Sequence, residues 1–140
     1  MAARHEIVAA IAQFALFSDL STPQLEAVAG QFSEAWFGDG DRILRQGLSG
    51  SGFFIILEGS CSVLIDGDER AVLGPGEFFG EVSVLLGEPP TADVAARGKV
   101  RCLVLGAPAA EPLFMLYPRF MFRMLQAQAR RLRNANRWRS

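Results

Sequence analysis

The sequence predicts a mainly β domain: a double-stranded β-helix, or jelly-roll barrel, flanked by α-helices at both ends. Two patterns carry that expectation. From Phe32 to Leu105 about eight short apolar runs alternate with glycine-bearing turns, which is the spacing of a sandwich or barrel. Before and after, apolar residues recur every third or fourth position, a helical period. A length of 140 residues holds one core and not two. The expected division of this single domain is N-terminal helices over 1–31, a barrel over 32–106 and C-terminal helices over 107–140.

Residues 4–17 read as a helix, with Ile7, Val8, Ile11, Phe14 and Ala15 on one face. Ser18-Asp19-Leu20 is a turn. Ser21-Thr22-Pro23-Gln24 is a capping box, with Ser21 as N-cap, Gln24 reaching back and Pro23 tolerated in the first turn. Its helix carries Leu25, Val28 and Ala29 and ends at Gly30 or Gln31. Strand patterns follow at 32–37, 42–46, 53–58, 60–65, 69–73, 92–97 and 99–105. Gly47–Gly52 reads as flexible, and Asp66-Gly67 as a two-residue hairpin turn. Beyond the barrel, 107–116 is a weak helical stretch expected to break at Pro112. Pro118 opens a longer helix. Met121, Leu125, Gln128, Leu132 and Ala135 share one of its faces, and Arg130, Arg131, Arg133 and Arg137 spread over much of the rest.

Composition excludes several function classes. Half the residues are hydrophobic, yet no run approaches a membrane span. The first residues lack the regions of a signal peptide. Cys61 and Cys102 lie in apolar strand patterns without CxxC spacing and read as buried free thiols, with a disulfide or redox switch as the alternative. A cytoplasmic location is the expectation. All fifteen acidic residues lie at or before Glu111, and seven of the fourteen basic ones at or after Arg119. That basic end reads as a solvated helix face, with contact to an acidic partner or nucleic acid as the alternative. The single histidine, His5, sits in the first helix, so a His-rich metal site inside the barrel is excluded. Neither Gly-x-Ser-x-Gly nor a P-loop occurs. A non-enzymatic role without metal or cofactor is expected.

The chemistry concentrates between Gly74 and Val94. A Gly-Pro-Gly turn ends a strand, two aromatics and Gly80 follow, and a short helix begins at Glu81 with Ser83 embedded in it. Gly87 ends the helix and Pro89-Pro90 extends the chain. The N–H groups of a first helical turn lack intrahelical partners and lie at the positive end of the dipole. Gly80 would let the backbone approach a ligand oxygen closely. A carboxylate at such an entrance suits an anion only if it accepts hydrogen bonds from hydroxyls of the same ligand. A ligand with both a phosphate and a sugar diol fits that pairing.

Phe79-Gly80-Glu81-Val82-Ser83-Val84-Leu85-Leu86 followed by Pro89-Pro90-Thr91-Ala92 resembles the phosphate-binding cassette of cyclic-nucleotide-binding domains. These occur in catabolite-activator-type regulators, protein kinase A regulatory subunits and nucleotide-gated channels. The resemblance extends from about Leu16 to Leu132 and implies the jelly roll, with the cassette at 78–92. It implies cAMP or cGMP as ligand candidates and Phe79, Gly80, Glu81, Val82, Ser83, Pro90, Thr91 and Ala92 as ligand-binding positions. The N–H groups of Glu81, Val82 and Ser83 would face the cyclic phosphate, joined by the Ser83 hydroxyl. Glu81 would accept from the ribose 2′-OH, and Thr91 would contact the phosphate or a guanine amino group. Val82, Leu85 and Leu86 are expected to face the core, and Val63 and Val72 to wall the base. One position departs: the family's arginine is Pro90 here, with Arg97, Lys99, Arg42 or Arg45 as candidate replacements, or a different, less charged ligand as the alternative. The leading expectation is a cyclic-nucleotide sensor that signals through its C-terminal helices. The alternative is a degenerate domain serving dimerisation through the last helix, or protein docking. No DNA recognition helix is expected before Ser140.

Overall fold

A computed structural model describes residues 4–48 and 52–136. Residues 49–51 of the glycine-rich stretch and Arg137 lie outside the described residues. Twelve elements run in chain order. Helix α1 is Arg4–Ile11, a 3₁₀ turn covers Ala15–Phe17, and helix α2 is Thr22–Ala29. Strands β1 Ser33–Phe37, β2 Arg42–Leu44, β3 Gly52–Ile65, β4 Asp68–Leu73 and β5 Phe78–Phe79 precede helix α3, Glu81–Leu86. Strand β6 Asp93–Gly106 and helices α4 Ala107–Leu116 and α5 Pro118–Asn136 complete the chain.

The strands form one antiparallel sheet ordered β1-β6-β3-β4, with β2 on β6 and β5 on β3. The two fourteen-residue strands β3 and β6 pair along most of their length, from Gly52↔Gly106 to Leu64↔Asp93. Each serves a different edge strand at either end, so the sheet curls into the jelly-roll barrel. The about eight short segments of the sequence pattern merge into six strands. Gly59 and Gly98 read as strand ends, but they sit inside β3 and β6 with φ of +85° and +72°. A Cβ on Gly59 would lie 2.4 Å from the Lys99 carbonyl oxygen. The glycine admits the neighbouring strand there instead of stopping its own.

Strand β3 explains why Phe53-Phe54-Ile55-Ile56-Leu57 shows no polar alternation: both of its faces are covered. Phe53, Ile55 and Leu57 join a core shared with the helices, and Phe54 and Ile56 join a second one inside the barrel. Phe53 is the hub of the first. Its ring meets Phe114 edge-on at 5.3 Å, and Phe78 and Phe120 lie 5.6 and 6.1 Å away. Both cysteines are buried and free in the second core, and burial pushes the Cys61 thiol up to about 11 and that of Cys102 to about 12.

Several local expectations hold. Ser21 accepts from the Gln24 N–H while the Gln24 side chain accepts from the Ser21 N–H, closing the capping box. Asp66 and Gly67 both take positive φ, 53° and 85°, as a type I′ hairpin turn requires. Others change. The helix expected over 4–17 stops at Ile11, where the Phe14 N–H turns to the Ile11 carbonyl and Phe14 extends. That break lets Leu16 and Phe17 enter the core. Helix α4 runs through Pro112 unbroken. The carbonyl that Pro112 leaves without a donor belongs to Pro108, an exposed residue, and buried Ala110, Leu113 and Phe114 hold the helix down.

The face expected on α5 splits. Phe120 and Met124 are the buried pair, Met121 packs beside them, and Leu125 and Leu132 are exposed. No helix among the described residues is long and apolar enough to cross a membrane.

Candidate functional site

A cavity of about 1010 Å³ opens between β4, the 78–92 segment and α5. Phe79, Gly80, Glu81, Val82, Ser83, Pro90, Thr91 and Ala92 all line it. So do Val63 and Val72, the expected base wall. Strand β5 sets the entrance: Phe54 and Phe79 pair across β3 and β5 and stack with centroids 4.9 Å apart.

The next residue turns the chain. Gly80 has φ +91°, and a Cβ there would lie 2.0 Å from the Gly52 carbonyl oxygen. Glycine at this position is thus required by strand β3, whatever a ligand asks of it. After it α3 holds Glu81 and Ser83 inward and leaves Val82, Leu85 and Leu86 exposed. This reverses the expectation for those three apolar residues: a six-residue helix lying on the barrel rim has room to bury only one face.

The Ser83 hydroxyl donates to the Glu88 carbonyl, so it ties the segment together instead of standing free for an anion. Pro90 is buried, and its carbonyl accepts the Gly47 N–H at 2.9 Å. Thr91 is exposed at the rim.

None of the four replacement cations named from the sequence lines the cavity. Arg42 pairs with Asp93 at 3.0 Å, Lys99 lies over the Trp36 ring, and Arg45 and Arg97 point to solvent. The arginines that do line it are Arg70 and Arg131. Arg70 occupies the register shift between Ala71↔Val63 and Glu69↔Leu64, where an extra strand residue re-aims its side chain.

Arg131 comes from α5. Its Nη2 donates to the Phe78 carbonyl at 2.7 Å, its guanidinium lies 4.5 Å over the Phe78 ring, and its Nη1 is 3.5 Å from Glu81 Oε1. Sequence reasoning placed it on the charged face. The signal was present in the spacing Gln128, Arg131, Ala135, three positions that all reach the cavity.

Glu81 is the chemical centre of this arrangement. Only 2% of its surface is exposed, and its Oε2 is buried with no hydrogen-bond partner among the described residues. Burial raises its pKa above the usual value, opposed by the charge of Arg131 and, more weakly, by its own N–H and the Gln128 side chain. An unpartnered buried acceptor costs roughly 1–3 kcal/mol. Such a group is retained where something supplies its hydrogen bond.

Helix α5 is itself anchored at a distance. Arg123 forks onto Asp19 at 2.8 and 3.0 Å, and Arg119 joins at 3.2 Å. Arg123 first among these partners holds the Asp19 carboxyl below its ordinary value. The turn ahead of α2 is thereby tied to the helix that closes the cavity.

A model of the cyclic nucleotide-binding domain matches residues 34–117, more than half of the sequence. The chain belongs to the cyclic nucleotide-binding domain family. It is 35% identical over 99 residues to a cAMP-dependent protein kinase regulatory subunit of Blastocladiella emersonii, covering 67% of this chain and 25% of that protein. The chain thus spans about a quarter of that relative's length. Among solved structures it is similar to the Thermus thermophilus catabolite activator protein, with TM-score 0.77 and 28% identity over 87% of this chain and 60% of the other. It also shares the fold of the cAMP-bound regulatory domain of Toxoplasma gondii protein kinase A, with TM-score 0.78 and 23% identity over 90% and 50% of the two chains.

Proposed function

We propose that this domain is a non-catalytic sensor whose ligand anchors its ribose on Glu81, with occupancy passed to the C-terminal helices. One observation carries the reading. The two oxygens of one buried carboxylate face different things: Oε1 meets Arg131 of α5, and Oε2 has no hydrogen-bond partner among the described residues. A ribose 2′-OH donating to Oε2 draws charge density away from Oε1 and alters the hold on Arg131, hence on α5. The base lies against Val63 and Val72, and Thr91 stands at the rim. cAMP and cGMP are the candidate ligands, supported by the family and by the kinase regulatory relative. Without the cassette arginine their affinity is weak, by roughly thirty- to a thousandfold, because a charge-assisted contact is missing.

Calorimetry with millimolar cAMP or cGMP and hydrogen exchange on α5 test this. Heat that disappears with the 2′-deoxy analogue, together with altered exchange in α5, is the expected result. Absence of heat removes these two ligands, and unchanged exchange in α5 at saturation removes the signalling route.

A second reading has its own observation. Phe122, Leu125, Ala129, Leu132 and Asn136 are all exposed and spaced three and four apart along α5. That is a heptad seam ending in an asparagine at an a-type position, the kind that fixes register in a two-stranded coil. Its natural occupant is the same helix of a second copy. The domain is then a dimerisation module whether or not the cavity fills. Sedimentation at high concentration decides: a monomer excludes it, and a dimer abolished by Leu125→Glu supports it.

A further inference from the structure

We propose that the preferred ligand of the cavity is an uncharged ribonucleoside with a free 2′,3′-cis-diol, and that the cyclic phosphate weakens binding. The inference rests on the reading that Glu81 anchors a ribose, and it goes beyond that reading in naming the ligand's charge and hydroxyl set.

The first ground is what an anion would meet. Pro90 brings neither charge nor N–H to the segment, and it is buried, so water does not take the place of a cation. The Ser83 hydroxyl is already committed to the Glu88 carbonyl. What remains is the backbone of the first turn of a six-residue helix, with a buried carboxylate at its start. Around the cavity stand three carboxylates, Glu69, Glu77 and Glu81, against two guanidiniums, Arg70 and Arg131. Arg131 is held by Phe78 and Glu81. Drawing it to a phosphate would strip the buried Glu81 of its only ion-pair partner among the described residues. Arg70 is exposed on β4. A desolvated anion without a matched cation is strongly disfavoured.

The second ground is what a diol would meet. Glu81 Oε2 is buried, makes no hydrogen bond among the described residues and has two lone pairs to fill. A 3′,5′-cyclic nucleotide offers one ribose hydroxyl, because its 3′ oxygen is esterified. A nucleoside offers two adjacent O–H donors. Both can be satisfied at Glu81 while Arg131 keeps its place on Oε1, so the pair Glu81–Arg131 and a neutral ligand leave no uncompensated charge.

Calorimetry on the purified chain at neutral pH compares adenosine and guanosine with cAMP, cGMP and 2′-deoxyadenosine. The expected order is the ribonucleoside tighter than its cyclic nucleotide by at least about tenfold. Removing the 2′-OH should cost about ten- to a hundredfold. In a Pro90→Arg variant the affinity for cAMP relative to adenosine should rise at least about tenfold.

Cyclic nucleotides binding more tightly than nucleosides would overturn the proposal and leave the ribose-sensing reading standing. Loss of that tighter binding in Arg70→Ala would then locate the phosphate's cation. Binding indifferent to the 2′-OH would overturn both, as would silence of every compound in a chain whose melting curve shows it folded.

Discussion

At the scale of single residues, Glu81 links the cavity to pH. Burial raises its pKa, so the folded chain keeps this proton at pH values where the unfolded chain has released it. From the ordinary value of 4.5 up to the raised one, the folded state binds more protons, and stability falls as pH rises. Glu81→Gln removes that slope and should leave the ligand-free domain more stable above the window. Thermal melts from about pH 4 to pH 8 check it, since parallel curves for the two proteins would exclude Glu81 as the source. A ligand that donates hydrogen bonds to the carboxylate favours its ionised form, so affinity falls as the pH drops through the raised value. This chemistry was legible in the sequence because a charged residue opening a helix stands out. The burial of one oxygen and the partner of the other were not, since Arg131 lies fifty positions away. The role first given to Gly80 shows the opposite limit. Its positive φ and its contact with Gly52 explain the glycine without any ligand.

Elements were easiest to read where the signal was local. The capping box of α2 needs only four consecutive residues, and its bonds form as the sequence implies. Ser21→Ala removes the side-chain acceptor for the Gln24 N–H and should cost about 1 kcal/mol, lowering the melting temperature by about 2–4 °C. Calorimetric melting checks it, and Ser21→Asp should restore most of the loss. Misreadings arose where tertiary contacts override local rules. Pro112 does not break α4 because the unbonded carbonyl belongs to an exposed residue, Pro108, and the buried side of the helix stays intact. Gly59 and Gly98 look like strand ends, yet both lie inside strands with positive φ, and only the presence of the crossing strand reveals Gly59 as a point of close approach. Apolarity alone misassigns the α5 face, because Gln128 and Arg131 line the cavity while Leu125 and Leu132 meet solvent.

At the scale of the whole molecule two cores are stitched by β3, whose alternate residues serve each. The sequence pattern showed a barrel with helices at both ends, since period-two and period-three-to-four regions separate cleanly. It did not show which helix face closes the cavity, because that depends on where α5 lands. Phe53→Ala empties the centre of the aromatic cluster and should cost about 3–5 kcal/mol, a large share of a total near 5–15 kcal/mol. Urea titration checks this. A loss under about 1 kcal/mol would mean the helices and barrel share less of their stability than the cluster implies.

Arg131 grips the Phe78 carbonyl with one nitrogen and reaches Glu81 with another, so a single side chain is shared by the wall of the cavity and the helix above it. Thermodynamic reciprocity follows. If filling the cavity changes how firmly α5 is held by some factor, then anything that captures α5 changes ligand affinity by the same factor. Under that coupling, a protein that binds the helix acts as an effector of the small-molecule site, and its influence is measurable as a shifted dissociation constant without any contact to the ligand.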